Sequence, residues 1–596
     1  MLMSCSLTRL QKIAWSFFAA VIFLLPLKFG GMLLPGVPQR YPESIISWMV
    51  TTLPPALFPI VAGCLLLSAV LAFGMNSIDW KSPAGRILLL FLLLPVAALP
   101  GIINADGWEN SVIELEYICS LSAFAAASAI ILNSCGAEYR QRLINIFAAG
   151  TLLTALIGVY QYFYGFDELK KFIEMQEKVY NVKISADLKA RALDIRTYAT
   201  FTFASAFAGF LVLAGGLSVV RMYRWGSNFE PAKLSQKIFG FLALALCGGI
   251  FLTTRGRSAF LAVIIAAALC GWLMIKQRKI KIMLLAAAAL AITSGAFYIH
   301  YAGRGFGSMA ERVGYLKTSV EMLTAHPFCG GGWGDFTYAH ALNKSFGNQE
   351  LAKDPHNIVA AFAAQAGLAG GLLTALLLLY ILYQAYRKMK QSADVENVVL
   401  FSSLCAFVLH SLMDLDWQVP GLMASFIFLS FFAVGRQEEK AISGSVFIEK
   451  PSLNAAAIAM GALTVFCGIH WSMADQTFGN MLAAAGMEAG VYSQPRSSYE
   501  VDAAARNALK IAPYSHSIYN AWANDKMRRH DLYRAEDLYK KALKYAPRSH
   551  AIHKSLSEIY LLQGDSLRAK EYADKADKLF PYRKIFFNKQ KGLKNE

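Results

Sequence analysis

Apolar residues occur along this chain in runs long enough to cross a bilayer, separated by short polar segments. A spanning helix needs roughly 17 to 25 mainly apolar residues. Such windows fall near 13–34, 55–74, 87–103, 111–133, 143–164, 199–220, 238–254, 258–275, 282–301, 357–383, 397–413, 420–435 and 453–472. The pattern predicts an all-α polytopic membrane helical bundle of about 12 to 13 transmembrane helices. The windows flanking Pro420 are short enough to be tilted or re-entrant. The first run, Ile13 to Leu27, follows Arg9 and Lys12 as a signal peptide would. It lacks a small-x-small cleavage site and further spans follow, so it reads as a retained helix.

Beyond residue 482 the period changes. Ala508-Leu-Lys-Ile-Ala-Pro513, Ala542-Leu-Lys-Tyr-Ala-Pro547 and Ala576-Asp-Lys-Leu-Phe-Pro581 are spaced 34 residues apart, as are Ala535 and Ala569. Small residues where two helices touch, with Pro ending the second, are the tetratricopeptide arrangement, so the tail is expected to be a short TPR-like helical domain. So few repeats are expected to lean on the membrane domain or on a protein partner. The chain then divides into N-terminal transmembrane helices (1–190), a transmembrane core with a long loop at 302–356 (191–435), a linker with the final span (436–481), and the repeats (482–596).

Composition agrees: 56% hydrophobic and 16% charged residues, with a mean hydropathy of +0.40, belong to the membrane class. The tail alone, with 21 Lys+Arg and 13 Asp+Glu, supplies +8 of the formal +17, so the basic balance is no argument for nucleic acid. The N-terminus and alternate short loops hold 20 Lys+Arg against three in the connections between them, which predicts a cytoplasmic N-terminus. Thirteen spans then put the loops 165–198 and 302–356, and the tail, on the extracytoplasmic side. The nine cysteines form no C-x-x-C pair, and no disulfide framework or zinc site is expected.

Charge beside a membrane must snorkel, pair or line a wet cavity. On the outer face the candidates are Arg196, Arg255 and Arg257 in a short turn, Arg304 and Arg312 after the ninth span, and His356-Asn357 at the entry to the tenth. Arg196 alone reads equally as an interfacial arginine reaching headgroups. Two guanidinium groups in one short turn must face headgroups or an anion, and their planar fork fits phosphate oxygens two at a time. The glycine-rich run 330–334, ending at Asp335, allows a sharp turn near a ligand or is an ordinary turn; it lacks the Lys-Ser/Thr of a P-loop. Pro355 suits a first helical turn, which would set His356 at the helix entrance, where a near-neutral pKa lets it take a proton. His410 and Asp414, four apart, are expected to share a helical face, as a structural or catalytic contact or half of a metal site. No second pair faces them, so no metal is expected.

The order Arg196-x-x-Ala-Thr-Phe, Thr254-Arg-Gly, Arg312, His326-Pro-Phe-x-Gly-Gly-Gly-Trp-Gly-Asp-Phe, Pro355-His-Asn, Gly367-Leu-Ala-Gly-Gly and His410-x-x-x-Asp414 resembles the O-antigen ligase family, with its related polymerases and protein O-oligosaccharyltransferases. The resemblance covers residues 190 to 435. It implies a metal-independent glycosyltransferase without cofactor in the bacterial cytoplasmic (inner) membrane. Such an enzyme moves a glycan from undecaprenyl-diphosphate to a lipid, glycan or protein acceptor on the extracytoplasmic face. By position, Arg196, Arg255 and Arg312 match the family's arginines and His356 its histidine, implying catalytic roles. Arg257, Arg304, Asp335, Asn357, His410 and Asp414 are expected to line the substrate site. Ala199 stands where the family usually has Gly. From other classes, a lipid-linked glycan flippase would also gather arginines, but deep within helices, and a scaffold would leave these residues unexplained.

Overall fold

The structure is a computed structural model. It describes all residues except 1–6, 40, 179–182, 185–188, 190–192, 230, 302–306, 345–350, 393, 435–450, 489–490, 493 and 582–596. Each of the thirteen apolar windows coincides with a helix. They are α1 (Arg9–Lys28), α3 (Phe58–Phe73), α4 (Pro83–Ile103), α5 (Trp108–Ser134), α6 (Ala137–Tyr160), α8 (Ala204–Trp225), α9 (Ala232–Thr253), α10 (Arg257–Met274), α11 (Arg278–Tyr301), α14 (Ile358–Gln391), α15 (Val395–Ser411), α16 (Pro420–Val434) and α17 (Pro451–Ala484). Among the described residues ten helices are long and apolar enough to cross a membrane, and α15 and α16 are shorter apolar helices. The short helices α2 (Ile45–Val50), α7 (Phe166–Lys178), α12 (Gly307–Ala325) and α13 (Phe336–Asn343) lie in connections between them.

Position in the bundle explains the short α16. Every residue from Pro420 to Ala433 is buried, and a helix sheathed by protein needs no bilayer-length apolar surface. Phe428 of α16 meets Phe18 of α1 and Phe147 of α6 at ring separations of 6.1 and 5.5 Å, at the centre of the core. The final span packs on α3 through small residues: a Cβ at Gly63 would stand 2.7 Å from the Gly461 carbonyl oxygen. Such close backbone approach is how helices associate in lipid, where apolar burial gives little advantage.

Helix α14 is broken at Gly367 (φ 80°, ψ −174°). The break frees backbone groups at membrane depth, about 14 Å from the helix start, and the loop 326–335 satisfies them. Leu368 N–H donates to the Pro327 carbonyl (2.8 Å), and the Ala364 carbonyl accepts from Gly331 N–H (2.8 Å). A Cβ at Gly367 would lie 2.4 Å from the Phe328 carbonyl oxygen, so only glycine fits there.

The tail comprises α18 (Ser498–Ile511), α19 (His516–Arg528), α20 (Leu532–Tyr545), α21 (His550–Leu562) and α22 (Ser566–Leu579). The repeat-equivalent Ala508, Ala542 and Ala576 are fully buried. Inter-helix turns of the tail rest on the bundle. Glu109, in the first turn of α5, accepts from Ser515 Oγ (2.7 Å) and Ser517 N–H (3.2 Å) and pairs with His516 (3.1 Å). Arg548 pairs with Asp106 (3.0 Å). A small antiparallel sheet joins residues 183–184 to 487–488 and 491–492, tying the 165–198 loop to the root of the tail. Asp335 of the 302–356 loop meets the same Asp106 segment, so the described parts of both long loops and the tail sit at one end of the bundle.

Candidate functional site

The turn from Ser411 to Gln418, between α15 and α16, receives side chains from most of the candidate segments. Arg312 Nε donates to the Met413 carbonyl (2.9 Å), and its Nη2 lies 3.8 Å from Asp414. Asn357 caps α14 by accepting from Ala360 N–H (2.9 Å) and donates to the Leu412 carbonyl (2.9 Å). Ser205 of α8 and Ser258 of α10 each donate to Asp414, both at 3.3 Å. Trp417 and Gln418 donate to Asp354 (3.1 and 3.5 Å). Burial opposes ionisation of Asp414, but the charges of His410, His356 and Arg312 outweigh it and hold the carboxyl below the usual range.

His410 meets Asp414 more loosely than expected. Helix α15 ends at Ser411, so Asp414 lies beyond the helical face that the spacing of four assumes, 3.9 Å from Nε2. The buried His410 Nδ1 donates instead to Asp416 (2.6 Å), and Nε2 lies 3.2 Å from Ser258 Oγ.

His356 also differs from expectation. The helix begins at Ile358, so His356 precedes the cap in a left-handed turn (φ 58°) rather than standing in the first helical turn. Pro355 ends the loop instead of opening the helix. The turn is held by Asp354, whose Oδ1 accepts the His356 N–H (2.9 Å). The Asp354 carbonyl accepts from His356 Nδ1 (3.1 Å), which fixes the neutral tautomer with Nε2 as the basic nitrogen. The ring stacks on Tyr315 of α12 (5.1 Å, 23°). Burial pushes the Asp354 carboxyl up to about 7, against the pull of its bonds from His356 and Trp417.

Besides His356, two more candidate segments contain a non-glycine residue at positive φ: Ala199 (47°) and Arg255 (51°). The left-handed region costs about 1–2 kcal/mol for an L-residue, and residues kept there cluster at functional sites. Ala199 is held by Gln161, whose side-chain oxygen accepts both the Tyr198 and Ala199 N–H groups at 2.8 Å. Gln161 opens a π-helical turn at the end of α6, a distortion common at functional sites. Thr197 N–H donates to the Thr253 carbonyl (3.3 Å), and the two threonine hydroxyls bond at 2.7 Å. The Arg196 segment is thus fastened to the end of α9, beside the Arg255 turn. Arg196 itself is exposed and pairs with Asp194 (2.6 Å). Arg255 and Arg257 are exposed.

The glycine-rich loop plugs the break in α14. Asp335 is fully buried there, accepting the Asp106 N–H (2.6 Å), and burial raises its carboxyl to about 7. Arg304 lies outside the described residues. Among the described residues, no group of three or more His, Cys, Asp or Glu is placed to hold a metal ion. Gln161, Ser205, Tyr315 and Asp416 were not singled out by sequence. Only Asp416 carried a signal, as a second carboxylate just past His410.

Helices of membrane length define a multi-pass membrane protein, and the candidate arginine and histidine segments lie at one end of it. A family model described as O-antigen ligase matches residues 242–375, which contain Arg255, Arg257, Arg312, His356 and Asn357. That segment is thus similar to the O-antigen ligase family. No curated protein matches the chain.

Proposed function

We propose that this protein transfers a glycan from undecaprenyl-diphosphate to an acceptor hydroxyl on the extracytoplasmic face of the bacterial inner membrane, without metal or cofactor. The observation that carries the reading is the 411–418 turn, which binds the Arg312, Asn357 and Ser258 segments beside a histidine of fixed tautomer. Arg255 and Arg312, with Arg196 beside them, hold the diphosphate. Their charge stabilises the negative charge that grows on the leaving oxygen as the glycosyl bond breaks. His356 Nε2 takes the proton from the acceptor hydroxyl as its oxygen attacks the anomeric carbon. Arg257, Arg304, Asn357 and Asp414 complete the substrate site, with the buried Asp335 and His410 supporting it from behind.

The test is the purified full chain in liposomes with a lipid-diphosphate glycan and candidate acceptors in EDTA. Equal yields of glycosylated acceptor and free lipid diphosphate are expected. Donor crossing the bilayer without any transfer would establish a flippase instead.

A further inference from the structure

We propose that Ser258, His410 and Asp416 are positioning residues of this site: through the shared Asp414 carboxylate they fix the Arg255-Gly-Arg257 turn against Arg312. This rests on the diphosphate reading above and goes beyond it. Two guanidinium groups that meet one diphosphate repel each other before it arrives, so something must hold them at the binding separation.

The geometry supplies that brace. Ser258, next to Arg257 in the first turn of α10, donates to Asp414 Oδ2 (3.3 Å). Arg312 reaches the same oxygen at 3.8 Å and the neighbouring Met413 carbonyl at 2.9 Å. His410 stands behind both, with Nε2 3.2 Å from Ser258 Oγ and 3.9 Å from Asp414. Asp416 holds His410 in that orientation (2.6 Å) and also accepts from Ser411 Oγ (3.1 Å). Helix α8 leaves room for the pair. A Cβ at Gly209 would lie 2.9 Å from His410 Nδ1 and 3.0 Å from Asp416 Oδ1. That Oδ1 is buried and accepts no hydrogen bond among the described residues, an arrangement that stability alone does not favour.

The Ser258–His410–Asp416 order has the form of a nucleophile relay. The Asp414 carboxylate changes its meaning, because it accepts the Ser258 proton and ties the hydroxyl between two partners. The cluster therefore orients rather than attacks.

The test is binding of undecaprenyl diphosphate to the reconstituted full chain, with variants compared at wild-type melting temperature. Ser258→Ala and Asp416→Asn should each weaken binding about tenfold, the scale of one lost hydrogen bond to a charged group. Ser258→Thr, which keeps the hydroxyl, should bind as wild type. In Ser258→Ala/Arg312→Ala the loss should fall well short of the product of the single losses, since the two residues act through one carboxylate. Ser258→Ala removes a single hydroxyl and keeps the test available if Asp416→Asn misfolds. Normal binding by Ser258→Ala while Arg312→Ala binds weakly, or fully multiplicative losses, would overturn the brace alone. Normal binding by both Arg255→Ala and Arg312→Ala would overturn the diphosphate reading and the brace with it.

Discussion

Three side chains at the site, Ala199, Arg255 and His356, stand in backbone conformations that glycine adopts more readily. For Arg255 and His356 the proposed chemistry gives those conformations a use. Ala199 carries no such group, and its methyl packs only partly buried against the core. Ala199→Gly should raise stability by up to about 1 kcal/mol, the left-handed penalty less the extra freedom glycine gives the unfolded chain. Denaturant unfolding in detergent measures it, and a clear loss of stability would mean that the Ala199 methyl packs usefully. The departure from the family's glycine was visible in the sequence, and its backbone meaning was not. The arginines and His356 stood out as candidates because their types and order are distinctive. Asp416 was passed over for Asp414 because the spacing of four assumes a helix that runs on past His410, whereas it ends at Ser411. Gln161 was hidden because a lone glutamine among aromatic residues carries no signal until the π-helical turn aims it at residues 198–199.

At the scale of elements, lipid imposes its pattern strictly, so all thirteen windows coincide with helices. The break at Gly367 was not legible, because the helix is apolar on both sides of it but for Gln365 and the compensating groups, the Pro327 carbonyl and the Gly331 N–H, come from a loop more than thirty residues earlier in the chain. The 34-residue period was legible in the tail, but its seat was not: Glu109 is one carboxylate at the start of an apolar helix. Three tail residues converge on it, and bonds to a charged group are worth about 1.5–3 kcal/mol. Glu109→Gln should therefore raise the undocked population about tenfold or more, read as faster hydrogen exchange at residues 512–517. Unchanged exchange there would show that Arg548 and the packing of α22 on α13 suffice.

On the scale of the whole molecule, the described parts of the loops 165–198 and 302–356 and the tail share one end of the bundle, where the proposed reaction would bring acceptor and lipid-borne donor together. In the proposed mechanism, positioning and charge stabilisation serve donor binding and one histidine serves proton removal, so the two functions should separate by mutation. The direct measurement is transfer from a lipid-diphosphate glycan in proteoliposomes, with donor affinity determined in parallel. His356→Ala should lower transfer roughly 10²- to 10⁴-fold, the usual worth of general base assistance, and leave donor affinity near wild type, whereas Arg312→Ala should lose both. Near-normal turnover by a folded His356→Ala protein would contradict the account.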